Sequence, residues 1–374
     1  MSARKVRVQD LLGVLHGLFP PDLAEEWDNV GLQVGDPAAP VERVLVALDP
    51  GVAAVAAACE HRAQLLVTHH PLLFKPLRRL TLDDPVGRVL WQAVRGGVAV
   101  IAAHTNLDVA ADGLNHWLAD RLELTDAEPL QPLTGHLFKL VVFVPVEHAE
   151  AVADALFAGG AGQIGAYDQC SFQAAGIGTF RPGPGTTPFV GIAGRRERVE
   201  EIRLETIVPQ RRLSRVLEKL LKAHPYEEVA YDLTALANQL PGAGLGRIGR
   251  LPAPMSLAAL GDRAKSLLGC SSVRLVGWPE QLVGKVAVCG GSGAGLIAEA
   301  QRRGADVLVT GDVKYHEARQ AEDLGLALLD AGHFATERLA AAELATRLDA
   351  EATARGWQVD ILVHDGERDP FIVR

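Results

Sequence analysis

The sequence has little cysteine, few aromatic side chains and no excess of positive charge. Its 374 residues include only four cysteines, none in a Cys-x-x-Cys spacing. Buried, reduced thiols are therefore expected, and a disulfide scaffold or a zinc ribbon is disfavoured. The 46 acidic and 37 basic residues give a net charge of -9. This balance argues against a surface that neutralises nucleic-acid phosphates, so nucleic acid is not the expected partner.

Long hydrophobic runs are also missing. No stretch approaches the ~18 apolar residues that span a bilayer, and residues 1–10 lack the apolar core of a signal peptide. We therefore expect no membrane association and a cytoplasmic location. Apolar residues are nevertheless plentiful at 48% of the chain. At ~100–200 residues per domain, the length predicts two or three domains with substantial cores.

The first third of the chain alternates short apolar runs with helical patterns. The runs at Val44–Leu48, Leu65–Thr68 and Val98–Ala102 show no alternation of apolar and polar residues. Such runs are typical of strands buried on both faces. Helical patterns lie between them, at 52–63 and 86–94. The sequence therefore predicts the α/β class with a mostly parallel sheet.

The last third repeats this plan. Apolar runs occur at 286–289, 307–310 and 326–329, and AQLLVTHH at 63–70 resembles ADVLVTGD at 305–312. Two copies of one supersecondary unit usually pack about a pseudo-twofold axis and build a site between them. We therefore predict two pseudo-repeated α/β halves that form one core. Chance similarity between short apolar strands is the alternative.

The middle of the chain breaks the pattern. Residues 138–235 show the order β-α-β-β-α-β, which predicts an inserted ferredoxin-like α+β domain. Its flanks, 129–135 and 238–246, are rich in proline and glycine and suit linkers. The predicted boundaries are 1–132 for the first half of the core, 133–244 for the insert and 245–374 for the second half.

Two adjacent histidines, His69 and His70, directly follow a predicted strand. Neighbouring side chains of an extended segment point to opposite sides, so this strand end can offer an imidazole to each of two metal ions. Capping of the strand or a hydrogen bond to backbone is the alternative function of such a pair.

A second cluster, His333-x-x-x-Glu337, lies where an apolar run passes into a helical pattern. The spacing places both side chains on one helix face, where a carboxylate can bridge two cations. Alternatively, Glu337 is a first-turn carboxylate favoured by the helix dipole, and His333 bonds a backbone carbonyl. Superposition of the two halves on their histidines puts His104 on His333 and Asp108 on Glu337.

The third cluster contains His104 and Asp108. Asp108 is either a metal ligand or a helix N-cap. His104 either coordinates metal or donates its ring N–H to a ligand, and we expect the second role. All three clusters follow predicted strands, where α/β sheets place their ligands. The donors suit two divalent transition metals with open positions for water or substrate. The predicted ligands are three imidazoles and two carboxylates: His69, His70, Asp108, His333 and Glu337.

Three further features leave alternatives open, and no catalytic residue is assigned. Gly290–Gly295 (GGSGAG) is either an anion cradle or a tight turn between strand and helix. Asp312 is a general acid or base, an acceptor for a ligand, or a turn cap. Asp28 and Asn29 are expected in a turn, with Trp27 in the core.

Five motifs occur in a fixed order along the chain: WDNVGLQVGD, THHPLLF, HTNLD, TGDVKYHEA and DAGHFATE. In these motifs the chain resembles the dinuclear-metal proteins called GTP cyclohydrolase 1 type 2 homologues, or NIF-three-like proteins. The resemblance implies the five ligands named above, with Glu337 shared between two metals. It also implies a toroidal homohexamer whose metal sites face an internal cavity. The insert, with HPYEEVAYDL at 224–233, resembles the family's optional domain, which is similar to PII and CutA proteins.

The resemblance and the donor set together imply hydrolysis. Two ions of iron, zinc, manganese or cobalt that share a carboxylate can lower the pKa of a bridging water and present hydroxide to carbon or phosphorus. We therefore expect a metal-dependent hydrolase of a nucleotide or a related small molecule. The alternative is a metal-binding or regulatory scaffold whose insert senses a ligand or a partner protein.

Overall fold

The computed structural model describes residues 5–373. The fold is a mixed α/β arrangement with several sheets. The chain divides into two compact units, Met1–Pro132 with Gly242–Arg374 and, between them in sequence, Leu133–Pro241. Among the described residues, no helix is long and apolar enough to cross a membrane.

The helices and strands follow one another along three stretches of the chain. The first contains α1 (Val8–Leu18), β1 (Gly31–Val34), β2 (Arg43–Ala47), α2 (Val52–Glu60), β3 (Leu65–Thr68), α3 (Pro85–Gly96), β4 (Ala99–Ala102), α4 (Thr105–Val109), α5 (Leu114–Arg121) and β5 (Thr125–Thr134). The second contains β6 (Leu137–Pro145), α6 (Ala149–Gly159), β7 (Ser171–Phe180), β8 (Glu197–Pro209), α7 (Leu213–Ala223) and β9 (Tyr231–Leu236). The third contains β10 (Gln239–Ser256), α8 (Leu257–Leu268), β11 (Arg274–Val276), β12 (Leu282–Val288), α9 (Ile297–Arg302), β13 (Val307–Thr310), α10 (Tyr315–Asp323), β14 (Ala327–Asp330), α11 (His333–Glu337), α12 (Leu339–Ala354) and β15 (Asp360–Val363).

The first unit contains a sheet with the strand order β1-β4-β3-β2-β15. Strands β15, β2, β3 and β4 are parallel, with Val44 opposite Leu65 and Leu65 opposite Ala99, and β1 lies antiparallel to β4. Helices α2 and α3 contribute Val55 and Val89 to the core on this sheet. Because parallel strands end at the same edge, the residues that follow β2, β3 and β4 lie close together.

A second sheet of the first unit has the order β11-β14-β13-β12-β10-β5. Strands β12, β13 and β14 are parallel, with Val286 opposite Val307 and Val307 opposite Ala327. Strand β10 is antiparallel to β12, and β11 is antiparallel to β14. Ile297 of α9 and Ala321 of α10 pack in its core. The residues that follow these parallel strands again share one edge.

The second unit has the predicted order of elements, β-α-β-β-α-β. Its antiparallel sheet has the order β7-β8-β6-β9. Leu140 and Leu204 point from the sheet into a core that contains Val152 of α6 and Val216 of α7. Side chains alternate between the faces of a strand, so the residues next to Leu140 and Leu204 in sequence belong to the other face.

Candidate metal centre

The five predicted ligands come together in the first unit. His69 and His70 follow β3, Asp108 lies in α4, and His333 and Glu337 begin and end α11. One carboxylate oxygen of Glu337, Oε2, lies 2.9 Å from Nε2 of His70 and 2.9 Å from Nε2 of His333. The two Nε2 atoms are 3.4 Å apart. Glu337 therefore faces two imidazoles, one that follows strand β3 of the first sheet and one that follows strand β14 of the second.

The other oxygen of Glu337 faces His69. Nε2 of His69 lies 3.7 Å from Oε1 of Glu337 and 3.7 Å from Oδ1 of Asp108. Nε2 of His69 and Oδ1 of Asp108 are both buried and have no hydrogen-bond partner. Buried polar atoms without partners are rare, and a cation next to both would satisfy them. The residues present therefore fit a metal site.

The other ring nitrogen, Nδ1, of three of these histidines has an oxygen partner. Those contacts are His69 with the Ala103 carbonyl at 2.9 Å, His70 with Asp49 at 2.8 Å and His333 with Asp312 at 2.7 Å. An Nδ1–H that donates to oxygen fixes the ring and directs the Nε2 lone pair toward the other donors. Asp312 thus accepts from a predicted ligand. Asp49 was missed in the sequence, although it follows the strand next to β3.

His104 shares this arrangement. Its Nδ1 lies 2.9 Å from Oδ1 of Asp28, and a ring nitrogen of His104 lies within 4.8 Å of ring nitrogens of His69 and His70. Asp28 also accepts the backbone N–H of Thr105 at 3.0 Å. Burial alone would raise the pKa of Asp28, but the hydrogen bonds from His104 and Thr105 lower it to about 2. His104 is therefore a further candidate ligand, held by a carboxylate that sequence analysis placed in a turn.

Among the described residues, the carboxylates of the centre form ion pairs with histidines and with no lysine or arginine. Among residues 5–373, every ion-pair contact of five carboxylates in this region involves a histidine. These carboxylates are Asp28, Asp49, Asp108, Asp312 and Glu337. An excess of negative charge around imidazoles is the environment in which divalent cations bind.

The pKa values of two histidines in the centre are shifted by the same excess of carboxylates. Burial alone would lower the pKa of His70, but its hydrogen bonds with Asp49 and Glu337 raise it to about 10. The hydrogen bond with Glu337 raises the pKa of His333 to about 9. Burial raises the pKa of Asp108. Protons therefore compensate the carboxylates in the metal-free protein, and cations would replace them.

The glycine loop 290–295 forms a tight turn against Glu337. Three of its amides already donate to side chains: Gly290 to Asn115 at 2.9 Å, Gly291 to Thr336 at 3.0 Å and Gly293 to Thr310 at 2.9 Å. Those amides are not free to hold an anion. Gly291 has a φ of 57°, and a Cβ there would collide with the Glu337 carboxylate. The glycine is needed because this backbone approaches the carboxylate so closely.

An aromatic pair lies next to His104. The expectation that Trp27 is a core residue is wrong, because its side chain is 59% exposed and that of Phe74 is 46% exposed. The Trp27 and Phe74 ring centres are 5.7 Å apart, and they lie 6.2 Å and 6.4 Å from His104. Asn29 donates to the Leu73 carbonyl at 2.6 Å. This bond holds the segment that carries Phe74 beside the segment that carries Trp27.

Two contacts from distant parts of the sequence support the centre. Both carboxylate oxygens of Glu367 accept the N–H of Leu48, at 3.0 and 2.8 Å, and one accepts that of Asp49 at 2.7 Å. Arg247 is buried and donates to several backbone carbonyls, including that of Ala110 at 2.7 Å, just after α4. These contacts hold the backbone near Asp49 and Asp108.

The relatives of this chain place it in a family. A sequence model described as Duf34/NIF3 (NGG1p interacting factor 3) matches residues 6–370. The chain belongs to the Duf34/NIF3 family. A family member from Bacillus subtilis, named GTP cyclohydrolase 1 type 2 homolog, is 40% identical over 370 residues, 99% of each chain. One from Mycobacterium tuberculosis with the same name is 41% identical over 337 residues, covering 89% of this chain and 88% of its own.

A solved structure of the family has the same fold. The Bacillus cereus protein related to NIF3 is 39% identical and superposes with a TM-score of 0.86 over 100% of both chains. The mixed α/β architecture described above is therefore that of a Duf34/NIF3 protein.

Proposed function

We propose that this Duf34/NIF3 protein is a metal-dependent hydrolase that acts on a nucleotide or a related small molecule at a centre of two divalent ions. The observation that carries the proposal is the position of Glu337. One of its oxygens lies 2.9 Å from Nε2 of His70 and of His333, and the other lies 3.7 Å from Nε2 of His69. A carboxylate with donors on both sides is suited to bridging two ions.

The donors divide into two groups around Glu337. One ion would be held by His69 and Asp108, the other by His70 and His333, and Glu337 would serve both. His104 is a further candidate for the first group because it lies beside His69. When bound, divalent ions would supply Lewis-acid stabilisation of developing negative charge and a lower pKa for water. Mixed imidazole and carboxylate donors accept iron, zinc, manganese or cobalt without sharp selection.

The protein's own residues hold the donors and receive the substrate. Asp49 and Asp312 accept the Nδ1–H of His70 and His333, which keeps both rings oriented toward Glu337. The exposed rings of Trp27 and Phe74 lie beside His104 and offer an apolar surface on which a flat ring can stack. This surface supports a substrate with an aromatic ring, such as a nucleobase.

The proposal is tested by metal removal and restoration. Metal-depleted protein should show no turnover, and activity should return to different extents when manganese, iron, zinc or cobalt is added. The substrates to test are nucleoside triphosphates, cyclic nucleotides and simple phosphoesters. If protein with two ions by elemental analysis hydrolyses none of them, the regulatory scaffold replaces the hydrolase as the function.

The architecture supports a proposed internal duplication. The order β1-β4-β3-β2 in one sheet matches β11-β14-β13-β12 in the other, and each has three parallel strands and one antiparallel edge strand. We propose that the two sheets are copies of one α/β unit. Superposition of the two in a crystal structure should align β2, β3 and β4 with β12, β13 and β14, and a different best alignment would contradict the duplication.

The remaining expectations about assembly are also proposals. The element order of the second unit supports an inserted ferredoxin-like domain of the PII and CutA type. The resemblance of the five motifs supports a toroidal homohexamer, and light scattering would report six times the 39.8 kDa mass of one chain.

The described cysteines, Cys59, Cys170, Cys270 and Cys289, are all free thiols. Free thiols support a cytoplasmic location.

A further inference from the structure

The second unit contains a cavity of about 640 Å³. Phe143, Glu201 and Arg203 line one side, and they lie on the sheet face opposite the Leu140 and Leu204 core. The segment 180–190 and Tyr226 line the other side. The volume falls in the range of small-molecule sites, about 300–1,000 Å³. The function proposed for the metal centre makes no use of this cavity.

A buried carboxylate lies in the cavity wall. Glu201 is 7% exposed, and its Oε1 accepts the Tyr226 hydroxyl at 2.9 Å. Among the described residues, no Lys, Arg or His lies within ion-pair distance of Glu201. Gly178 leaves room for the carboxylate, because a Cβ at this position would collide with Oε2. A buried carboxylate with one neutral partner is costly unless a cation approaches it.

The nearby charged and titratable groups do not supply that cation. Arg181 and Arg203 both line the cavity, but neither forms an ion pair with Glu201, and Nε of Arg203 donates to Glu205 at 2.7 Å. Burial lowers the pKa of His224. The ring of His224 is also engaged on both sides, since Nδ1 accepts the Tyr226 N–H at 3.1 Å and Nε2 donates to the Phe143 carbonyl at 3.0 Å. Glu201 therefore has no positive partner among the described residues, and the ammonium group of a ligand can supply one.

The rest of the wall is aromatic and apolar. The ring centres of Phe180 and Phe189 lie 5.8 Å and 6.2 Å from that of Tyr226. Gly176 of β7 adds no side chain to the opposite wall, and no atom lies within 4 Å of a Cβ built on it, which leaves the space open. Rings at these separations can pack against another flat ring, and the face of a tyrosine attracts a cation.

We propose that this cavity binds a small molecule that carries a flat apolar ring and a protonated amine, with the ammonium group at Glu201 and the ring among Phe180, Phe189 and Tyr226. An N–H of the ammonium donates to the carboxylate in a charge-assisted hydrogen bond. The site is separate in sequence from every donor of the metal centre, and its occupation does not require hydrolysis.

The test uses the full chain and two probes of similar size and opposite charge, phenethylamine and 3-phenylpropionate, in isothermal titration calorimetry. Phenethylamine should bind at least tenfold more tightly than 3-phenylpropionate. Glu201→Gln keeps an acceptor for Tyr226 but removes the charge, and it should weaken phenethylamine binding at least tenfold. Glu200→Gln, an exposed neighbour outside the cavity, should leave binding unchanged.

A second variant tests the location independently of charge. Gly176 lines the cavity, and a Cβ built on it meets no atom within 4 Å, so Gly176→Leu can fill the space without a clash. This variant should lose phenethylamine binding while its circular dichroism spectrum stays that of the wild type. Three results would each overturn the proposal. The first is equal affinity for the two probes, and the second is no binding of phenethylamine at about 10 mM, a concentration on the order of those used for weakly binding fragments. The third is unchanged binding in Glu201→Gln or in Gly176→Leu.

Discussion

Nε2 of His69 lies 3.7 Å from Oδ1 of Asp108, and neither buried atom has a hydrogen-bond partner. His69 donates its Nδ1–H to the Ala103 carbonyl, so in a neutral imidazole its Nε2 presents a lone pair, as an ionised carboxylate does. Two acceptors that face each other cannot satisfy one another. A proton or a metal ion between them removes the conflict, and this is the strongest structural argument that a cation belongs in this centre.

Loss of Glu337 should empty both metal positions. Glu337→Ala removes the carboxylate that faces both groups of donors, whereas His69→Ala and His70→Ala should each deplete mainly one ion. Elemental analysis of the purified variants measures this directly. Glu343→Ala, a carboxylate on α12 paired with Arg347, is the matched control and should keep the wild-type metal content. Full occupancy in Glu337→Ala would contradict the bridging role.

Trp27 should affect substrate binding and not metal content. If a flat ring stacks on Trp27 and Phe74, Trp27→Ala should raise KM for a nucleotide by about fivefold to 150-fold, since stacking on an aromatic side chain contributes about 1–3 kcal/mol. Trp27→Phe should keep most of the affinity because a ring remains. An unchanged KM in Trp27→Ala, with metal content equal to wild type, would show that the substrate lies elsewhere.

Removal of the second unit should leave the metal centre intact. Every predicted ligand lies in the first unit, and a Cβ built on Gly244 would lie only 2.8 Å from the Cα of Pro132, so the two ends of the excision are close. A short Gly/Ser linker between residues 132 and 242 can bridge them. The shortened chain should bind as much metal as the full chain in elemental analysis. A soluble, folded product without metal would mean that the second unit supports the site.

Arg247 should be important for stability. It donates to the carbonyls of Gly244, Gly246 and Ala110, and Arg247→Met would leave these buried acceptors without a partner. Each unsatisfied group costs about 1–3 kcal/mol, so the free energy of unfolding should fall by roughly 3 kcal/mol or more. Urea denaturation measures the change. Arg250→Met, an exposed residue of the same strand, should change stability by less than about 0.5 kcal/mol.

Tyr226 should ionise at lower pH when Glu201 loses its charge. Burial and the hydrogen bond to Glu201 raise the pKa of Tyr226. In Glu201→Gln the repulsion between carboxylate and phenolate is gone, so the pKa should fall toward the ordinary value near ~10. Because the chain has four tyrosines, about a quarter of the absorbance change at 295 nm should move to lower pH. An unchanged titration would mean that Glu201 does not control this hydroxyl.

The parallel strands and their donors could be predicted because both follow from local sequence. Strands such as β3 and β13 are buried on both faces, so they are continuous apolar runs, and polar residues directly after them stand out. His69, His70 and His333 were found in this way. Because parallel strands end at the same edge of a sheet, these histidines were expected to lie close to the residues that follow the neighbouring strands.

The partners of the donors could not be predicted in the same way. Asp28 and Asp49 resemble ordinary turn residues, and only the folded chain brings them to His104 and His70. The sequence alone also left the amides of the glycine loop available to bind an anion. The hydroxyl oxygens that accept hydrogen bonds from two of them belong to Thr310 and Thr336, which lie farther along the chain. The exposure of the Trp27 side chain depends on which other segments of the chain pack over it, and the pattern of apolar residues along the sequence does not predict this.

The spread of the donors along the chain also dictates when the centre can form during synthesis. His69, His70 and Asp108 are made first, then the whole of Leu133–Pro241, and only afterwards His333 and Glu337. A nascent chain that ends before residue 333 carries His69, His70 and Asp108 but lacks Glu337, the carboxylate that faces both groups of donors. Under the proposed function, in which two ions share Glu337, metal loading at this carboxylate must wait until the strands that lead to α11 have been translated and have folded.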